Sequence, residues 1–304
     1  MTVPILVLAS FLVFGLVLLV PGDPAITLAG DNATEEQIQV IRDRLGLDDP
    51  IHVQYGRWAS AAVQGDLGDS LFSGRSVTKS IGERLPVTVS LAAVSVLIAL
   101  MIAIPAGLLS ATRRGTWLDT TATVGASLGL AMPSFWLGAV LALIFALSLG
   151  WLPATGYVPL TENPFEWFRH LVLPGLTLGT SAAAETTRQL RASLGDVLQQ
   201  DYVRTARAVG LRSRVVVLKH GMKNAAMPVV TVLGFQVAFL LGGSVIVEQL
   251  FALPGLGGLA IRAVLDRDLP VIQGVVLFTT ALVVSINLLV DLMYGWLNPK
   301  VRAA

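Results

Sequence analysis

Long apolar stretches alternate with polar connections along most of this 304-residue chain. A transmembrane α-helix needs about 20 predominantly apolar residues at a rise of about 1.5 Å each. Six stretches satisfy this requirement, so the pattern predicts an all-α membrane protein with six transmembrane helices. The predicted spans are 3–20, 87–110, 118–149, 171–190, 229–251 and 271–297.

The third and the first of these stretches differ from a simple straight span. The third is long and contains Pro133, which predicts a kinked or tilted span because proline interrupts helical hydrogen bonding. The first could instead be a cleaved signal peptide. It lacks a basic N-terminal region, however, and its apolar run exceeds a usual signal core, so we expect it to be retained as a span.

The composition agrees with a membrane protein. The chain is 54% hydrophobic and 13% charged, with a mean hydropathy of +0.72, which excludes an ordinary soluble domain. The absence of cysteine excludes disulfides, thiolate metal sites and cysteine nucleophiles. The three histidines, His52, His170 and His220, lack the spacing of metal ligands, and no metal site is predicted.

Segment 21–85 is too polar to cross a membrane. Thr34 and Gln37 form a capping-box pattern before an amphipathic helix that ends at Gly46, and a second helix is predicted over 53–63. We therefore interpret the chain as one membrane domain, residues 1–304, with an extracytoplasmic insertion at 21–85.

Charge predicts the orientation of the spans. The connections 111–117, 188–223 and 298–304 carry twelve Lys and Arg and would share one side of the membrane, whereas segment 21–85 carries ten acids against six bases. Because basic connections remain in the cytoplasm, both termini are predicted to be cytoplasmic.

Segment 188–223 is the most informative connection, since it holds eight basic residues and only two acids. A charge near the bilayer centre costs about 2.5–3.5 kcal/mol, so this segment must lie in water beside the membrane. The sequence around Arg204 predicts a short helix, a break at Gly210 and a second helix. A docking element fits this pattern, and a solvated basic loop that only sets the topology is the alternative.

Four acids lie at or within predicted spans: Asp119, Glu185, Glu248 and Asp291. Glu185 is expected to pair with Arg188, three residues later on one helical face. Asp291 is expected near the cytoplasmic face. Glu248 has two interpretations, a functional acid or a helix-end carboxylate bonded to backbone amides of the following turn, and both stay open.

A resemblance becomes specific at eight segments that occur in order. The chain resembles the inner-membrane permease subunit of a binding-protein-dependent ABC importer of the dipeptide, oligopeptide and nickel type. The segments are PGDPA (21–25), GDLGDSLFSGRSV (65–77), ERLPVTVSLA (83–92), MPSFWLG (132–138), HLVLPGLTLG (170–179), DYVRTARAVGL (201–211), FALPGLGGL (251–259) and NLLVDLMYGWLNPKVR (287–302).

The resemblance implies a type I importer permease fold with a cytoplasmic coupling loop at 193–228. Its signature in the family is Glu-Ala-Ala, three residues and Gly, and this chain has Arg204, Thr205 and Ala206 followed by Gly210. Two of these positions depart from the general signature but resemble the peptide-permease version of it. The residues expected to contact the ATPase are Asp201, Tyr202, Arg204, Thr205, Ala206, Gly210 and Leu211.

The resemblance also implies an outer gate after the fifth span. The stretch 251–258 is similar to the family's external re-entrant segment. The residues expected at this gate are Glu248, Phe251, Pro254 and Gly255.

The partners that the resemblance implies are a second homologous permease, two ABC ATPase subunits, an extracytoplasmic solute-binding protein and membrane lipid, without nucleic acid. We expect no cofactor in this chain, since ATP and magnesium would bind the ATPases. Lys79-Ser80 lacks the preceding glycine of a phosphate loop, so the chain is not expected to be an enzyme. The implied location is the bacterial inner membrane.

Peptides are the expected cargo, with nickel chelates, glutathione and sugars as alternatives within the same class. A secondary transporter or channel is the competing class. It predicts paired charges in the middle of spans, and the apolar stretches of this chain contain almost none.

Overall fold

The computed structural model describes residues 2–18, 24–29 and 33–297. Over these ranges the chain is predominantly helical and has no β-strand, only an isolated bridge between Asp69 and Ser76. The all-α prediction is therefore confirmed. The α-helices in these ranges are α1 (Thr2–Leu18), α2 (Pro24–Ala29), α3 (Glu35–Leu45), α4 (Ile51–Val63), α5 (Val77–Thr112), α6 (Trp117–Ala131), α7 (Ser134–Leu141), α8 (Pro164–Val197), α9 (Asp201–Ala208), α10 (Ser213–Val215), α11 (Met222–Gly243), α12 (Val245–Leu250), α13 (Leu256–Asp266) and α14 (Leu269–Leu297).

Two π-helical segments continue these helices. Residues Ala142–Ser148 follow α7 directly, and Val216–Gly221 join α10 to α11. The second segment makes Ser213–Gly242 one continuous helical run of 30 residues, whose C-terminal part is apolar.

Three helices of the described chain are long and apolar enough to cross a membrane. They are α5, the run Ser213–Gly242, and residues Leu269–Met293 of α14. A fourth crossing results if α6 and the helix Ser134–Ser148 count as one broken span. Those two helices meet at an angle of 102°.

The broken pair corresponds to the predicted third span, 118–149, and the position of the bend matches Pro133. Pro133 offers no amide hydrogen, and its ring disfavours helical geometry at the residue before it. Met132 accordingly adopts an extended conformation with φ −79° and ψ 125°. The bend is far larger than a kink within one straight helix.

The remaining two predicted spans differ from the expectation in other ways. The fourth, 171–190, lies within α8, which is not apolar enough by the same measure, and many of its residues are buried by protein. The first falls in α1, whose apolar part Pro4–Gly15 is short. Residues 19 and 20 of that stretch lie outside the described ranges. The six-span count therefore stays a prediction.

The chain forms two compact units, residues 1–86 with 255–284 and residues 87–254 with 285–304. The prediction of one permease domain stays a prediction. In the first unit the capping box is confirmed, because the Thr34 side chain accepts from the Gln37 amide and the Gln37 side chain accepts from the Thr34 amide. Gly46 ends α3 with a φ of +64°, and α4 starts two residues before its predicted beginning.

A buried carboxylate organises the first unit. Asp268 lies in the turn between α13 and α14 and accepts hydrogen bonds from the Ser70 hydroxyl at 2.5 Å and from the Leu71 amide at 3.2 Å. These bonds hold segment 65–77 on the turn. The apolar core beside them comprises Leu67, Val77, Ile81, Leu256, Ala263, Val271 and Val275.

Helix α8 is the central helix of the second unit and packs against α5, α6, α7 and α11. Glycines permit the approach to α5. A Cβ atom at Gly179 would lie 2.8 Å from the Ser95 carbonyl oxygen, and one at Gly175 would lie 2.8 Å from the Val94 side chain. Such close packing requires small residues, which explains why α8 is less apolar than a lipid-facing helix.

Candidate functional site

The basic segment folds as the sequence predicts. Helix α9 covers Asp201–Ala208, and the backbone then turns at Gly210, whose φ is +82°. The Leu211 amide donates to the Ala206 carbonyl at 3.2 Å and closes the helix end. The predicted helix, break and second helix, which resumes at Ser213, are confirmed.

A single apolar side chain anchors α9 to the rest of the chain. Val203 is fully buried in a cluster with Leu194 and Leu198 from the end of α8 and Val216 from the π-helical segment. Burying a valine contributes roughly 1.5–3 kcal/mol. Val203 was not among the residues predicted from the sequence, although an isolated apolar residue in a basic helix could have indicated an anchor.

The second anchor of α9 is polar. The Tyr202 hydroxyl accepts a hydrogen bond from the Asn224 side-chain amide at 2.7 Å. Asn224 belongs to α11, so α9 is tied to the helices on both sides of it in the chain. Neither the sequence nor the resemblance pointed to Asn224.

The opposite surface of the segment is exposed. Tyr202, Val209 and Leu211 remain 44%, 70% and 41% exposed. Arg204 and Asp201 are also exposed and form an ion pair of 3.3 Å, which contributes little at such exposure. Apolar side chains on an anchored helix and on the turn after it, surrounded by exposed arginines, suit a protein partner.

Ala206 has a different environment from its exposed neighbours. It is half-buried and packs against the cluster that contains Val203. Thr205 is exposed, and its hydroxyl donates to the Asp201 carbonyl at 3.0 Å. The small side chain of Ala206 lets α9 pack closely against this cluster. The expected contact of Ala206 with an ATPase stays a prediction.

A partly buried ion pair fixes the end of α8 that leads into α9. Asp119, in the first turn of α6, accepts two hydrogen bonds from Arg191, Nε to Oδ1 at 2.6 Å and Nη2 to Oδ2 at 2.9 Å. The Ser110 hydroxyl and the Gly115 amide also donate to Asp119. Asp119 was predicted to lie at or within a span, but its partner, 72 residues away in the chain, was not predicted.

The expected outer-gate residues divide between the two compact units. Glu248 is completely buried, and one carboxylate oxygen accepts from the Thr88 and Ser244 hydroxyls, each at 2.9 Å. Phe251 is also buried, and its carbonyl accepts from the Gly156 amide at 3.0 Å. The hydroxyl donors had not been anticipated, and a gating role for Glu248 stays a prediction.

The other two residues expected at the gate, Pro254 and Gly255, belong to different compact units. Pro254 is exposed at the end of its segment. Gly255 precedes α13 in an extended conformation. Their assignment to a gate stays a prediction as well.

One sequence-based pairing is wrong. Glu185 was expected to bind Arg188, but its Oε2 accepts a hydrogen bond from the Gln236 side-chain amide at 2.6 Å, and within the described chain it has no ion pair with Arg188. Gln236 lies on α11, so tertiary packing supplied a partner that helical spacing could not reveal. Over the same described ranges, His, Asp and Glu residues do not gather in groups of three that could hold a metal ion.

Comparisons with known proteins connect this arrangement to a family. The family model "Binding-protein-dependent transport system inner membrane component" matches residues 103–303, and the model for the N-terminal part of such membrane components matches residues 1–92. The chain is 43% identical over 300 residues to a Brucella abortus protein named as a peptide transport system permease, a name that is itself a prediction. That alignment covers 99% of this chain and 96% of the relative.

Two further relatives are informative. The glutathione transport system permease protein of Escherichia coli K12 is also 43% identical over 300 residues, covering 99% of this chain and 95% of that protein. An inward-facing structure of the MetNI methionine ABC transporter aligns with a TM-score of 0.60 at 19% identity, over 72% of this chain and 96% of that one, and shows the likeness of fold. The chain therefore belongs to the binding-protein-dependent transport system inner membrane components and is a permease subunit of an ABC importer with the type I fold.

Proposed function

We propose that this permease forms half of the membrane pathway of an importer for short peptides. The support is the 43% identity, over almost the whole chain, to relatives named for peptide and glutathione transport. Glutathione is itself a tripeptide with a free amino group, so it belongs to the same chemical class and is the second candidate cargo.

The observation that carries the coupling role is the geometry of α9. The helix is fixed to its own protein by Val203 and Tyr202, and the turn that follows it leaves Val209 and Leu211 exposed. We assign this exposed surface as the docking site for an ATPase subunit. Since α9 follows α8 after three residues, a movement of the ATPase would be transmitted directly to the central helix of the second unit.

The proposed complex contains this chain, a second permease, two ATPase subunits and a solute-binding protein outside the membrane. ATP-driven closure of the ATPases would shift the permeases between inward-open and outward-open states, because ATP binds one state more tightly than the other. ATP hydrolysis belongs to the ATPases in this scheme, and this chain carries out no reaction.

The first experiment tests the docking surface. The complex would be purified by a tag on this subunit from variants Val209→Asp and Val63→Asp, which place the same charge at two exposed valines. We expect Val209→Asp to lose the ATPase and ATP-driven tripeptide uptake in proteoliposomes, and Val63→Asp to retain the ATPase. Equal ATPase recovery in both variants would refute the docking site. Uptake of tripeptide by this chain in the absence of ATPase subunits and ATP would instead favour a secondary transporter.

The second experiment tests the proposed orientation, with both termini and segment 188–223 in the cytoplasm. Single cysteines at Gln64 and Gln200 can be introduced because the chain has no native cysteine. In intact cells, an impermeant thiol reagent should label Gln64→Cys and spare Gln200→Cys. The reverse pattern would contradict the orientation.

A further inference from the structure

A cavity of about 550 Å³ lies in the second compact unit between α8, α11 and the bent pair α6 and α7. Its wall is mostly apolar and includes Leu178, Phe235 and Phe239. The polar groups at the wall are concentrated on α8 and α11, where Glu185, Gln236 and Ser181 line the same space.

The hydrogen bond between Glu185 and Gln236 leaves acceptors available. Gln236 Nε2 donates to Glu185 Oε2 at 2.6 Å, which orients the carboxylate and uses one of the two donors of the amide. In the part of the chain that the structure describes, Glu185 Oε1 and Gln236 Oε1 accept no hydrogen bond and Glu185 has no ion pair. The site thus combines a negative charge with unused acceptors.

The depth of the pair makes its charge significant. Glu185 lies five residues from the end of one predicted span and Gln236 seven residues from the start of another, which is about 8–10 Å along each helix axis. An acid at such a depth is unfavourable unless a counter-charge or water accompanies it. A cation that enters the cavity would supply that counter-charge.

We propose that Glu185 and Gln236 form a subsite for the ammonium group of the cargo as it passes through the permease. The proposal rests on the proposed peptide-import function. An ammonium carries three donors and no acceptor, which matches the Glu185 and Gln236 oxygens and the Ser181 hydroxyl. Peptides bear such a group, since an α-amino group has a pKa of about 7.7–8.0 and is mostly charged at neutral pH.

The electrostatic part of the proposal can be tested without any cargo. Ser181→Cys, one helical turn before Glu185, would be labelled in the purified complex with a cationic and an anionic methanethiosulfonate, and modification of this subunit read by mass spectrometry. The ratio of cationic to anionic labelling should fall on the order of tenfold when Glu185→Gln is added. An unchanged ratio, or no labelling by either reagent, would overturn the subsite.

The transport part uses the complete complex in proteoliposomes with a labelled tripeptide. Loss of a charge-assisted hydrogen bond predicts that tripeptide uptake per ATP hydrolysed falls about tenfold in Glu185→Gln. Glu185→Asp should recover part of the uptake. Glu162→Gln removes the same charge from an exposed site and serves as the matched control.

The outcomes separate this proposal from the one on which it rests. Normal uptake per ATP in Glu185→Gln, with normal uptake in the wild type, would overturn the subsite alone. A wild-type complex that imports no peptide would overturn the peptide-import function, while the labelling ratio would still report the charge of the cavity.

Discussion

The turn at Gly210 gives the sharpest test of the proposed coupling role of residues 201–211. Its φ of +82° lies in a region that residues with a branched Cβ adopt only with strain, whereas asparagine tolerates it. A Cβ placed at Gly210 would meet no atom of this chain within 4 Å. Any effect of a substitution on the isolated subunit therefore comes from backbone conformation and not from crowding.

The energetic cost of replacing Gly210 follows from that backbone geometry. A non-glycine residue held in a disfavoured backbone region costs of the order of 1–3 kcal/mol, and valine belongs toward the upper end. A strain of about 2 kcal/mol corresponds to a decrease of about thirtyfold in the population with the native turn. Asparagine should cost only a fraction of that amount.

The assay compares Gly210→Val with Gly210→Asn in the complete complex. We expect Gly210→Val to lose ATPase co-purification or ATP-driven uptake, and Gly210→Asn to retain most of both. Arg212→Ala, at an exposed position beyond the turn, should have a mild effect. Each variant should still insert into the membrane, since the change lies outside the spans.

Two results would refute this reasoning. If valine and asparagine are equally damaging, close approach by the partner and not the positive φ is what requires glycine. If both variants are fully active, residues 201–211 are not the coupling site.

Three further predictions concern the second unit. Gly179→Ala should destabilise the purified complex by about 1–3 kcal/mol, because its Cβ would meet a backbone carbonyl. Gly125→Ala, whose Cβ would meet no atom within 4 Å, should be neutral or slightly stabilising. Equal melting temperatures for the two variants would contradict the close packing at Gly179. Asp119→Asn should lower the free energy of unfolding by about 1–3 kcal/mol, measured by thermal unfolding. This loss is smaller than that expected for breaking a fully buried ion pair, because Arg191 keeps 34% of its side-chain surface exposed. An unchanged unfolding curve would show that the ion pair contributes nothing to stability. Glu248→Gln should lower uptake while ATPase association persists, and wild-type uptake would leave this carboxylate a structural role only.

The local sequence pattern was sufficient to predict the helical class and several helix ends and turns of this protein. The capping box at Thr34, the helix ending at Gly46 and the turn at Gly210 depend on interactions between neighbours in the chain, so the sequence predicted them correctly. The all-α membrane class followed from apolar stretches whose length alone matches a bilayer. Segment 188–223 was recognised as a connection outside the bilayer because eight basic residues cannot lie in lipid.

The side-chain partners and the angles between helices were decided by tertiary packing. The partner of Glu185 is Gln236, 51 residues away, and the partner of Asp119 is Arg191, 72 residues away, so helical spacing could not identify either. Pro133 marked a bend, but its 102° angle depends on what the two helices pack against. Many residues of helix α8 are buried by protein, and such burial is a property of the folded chain that residue pattern alone does not contain.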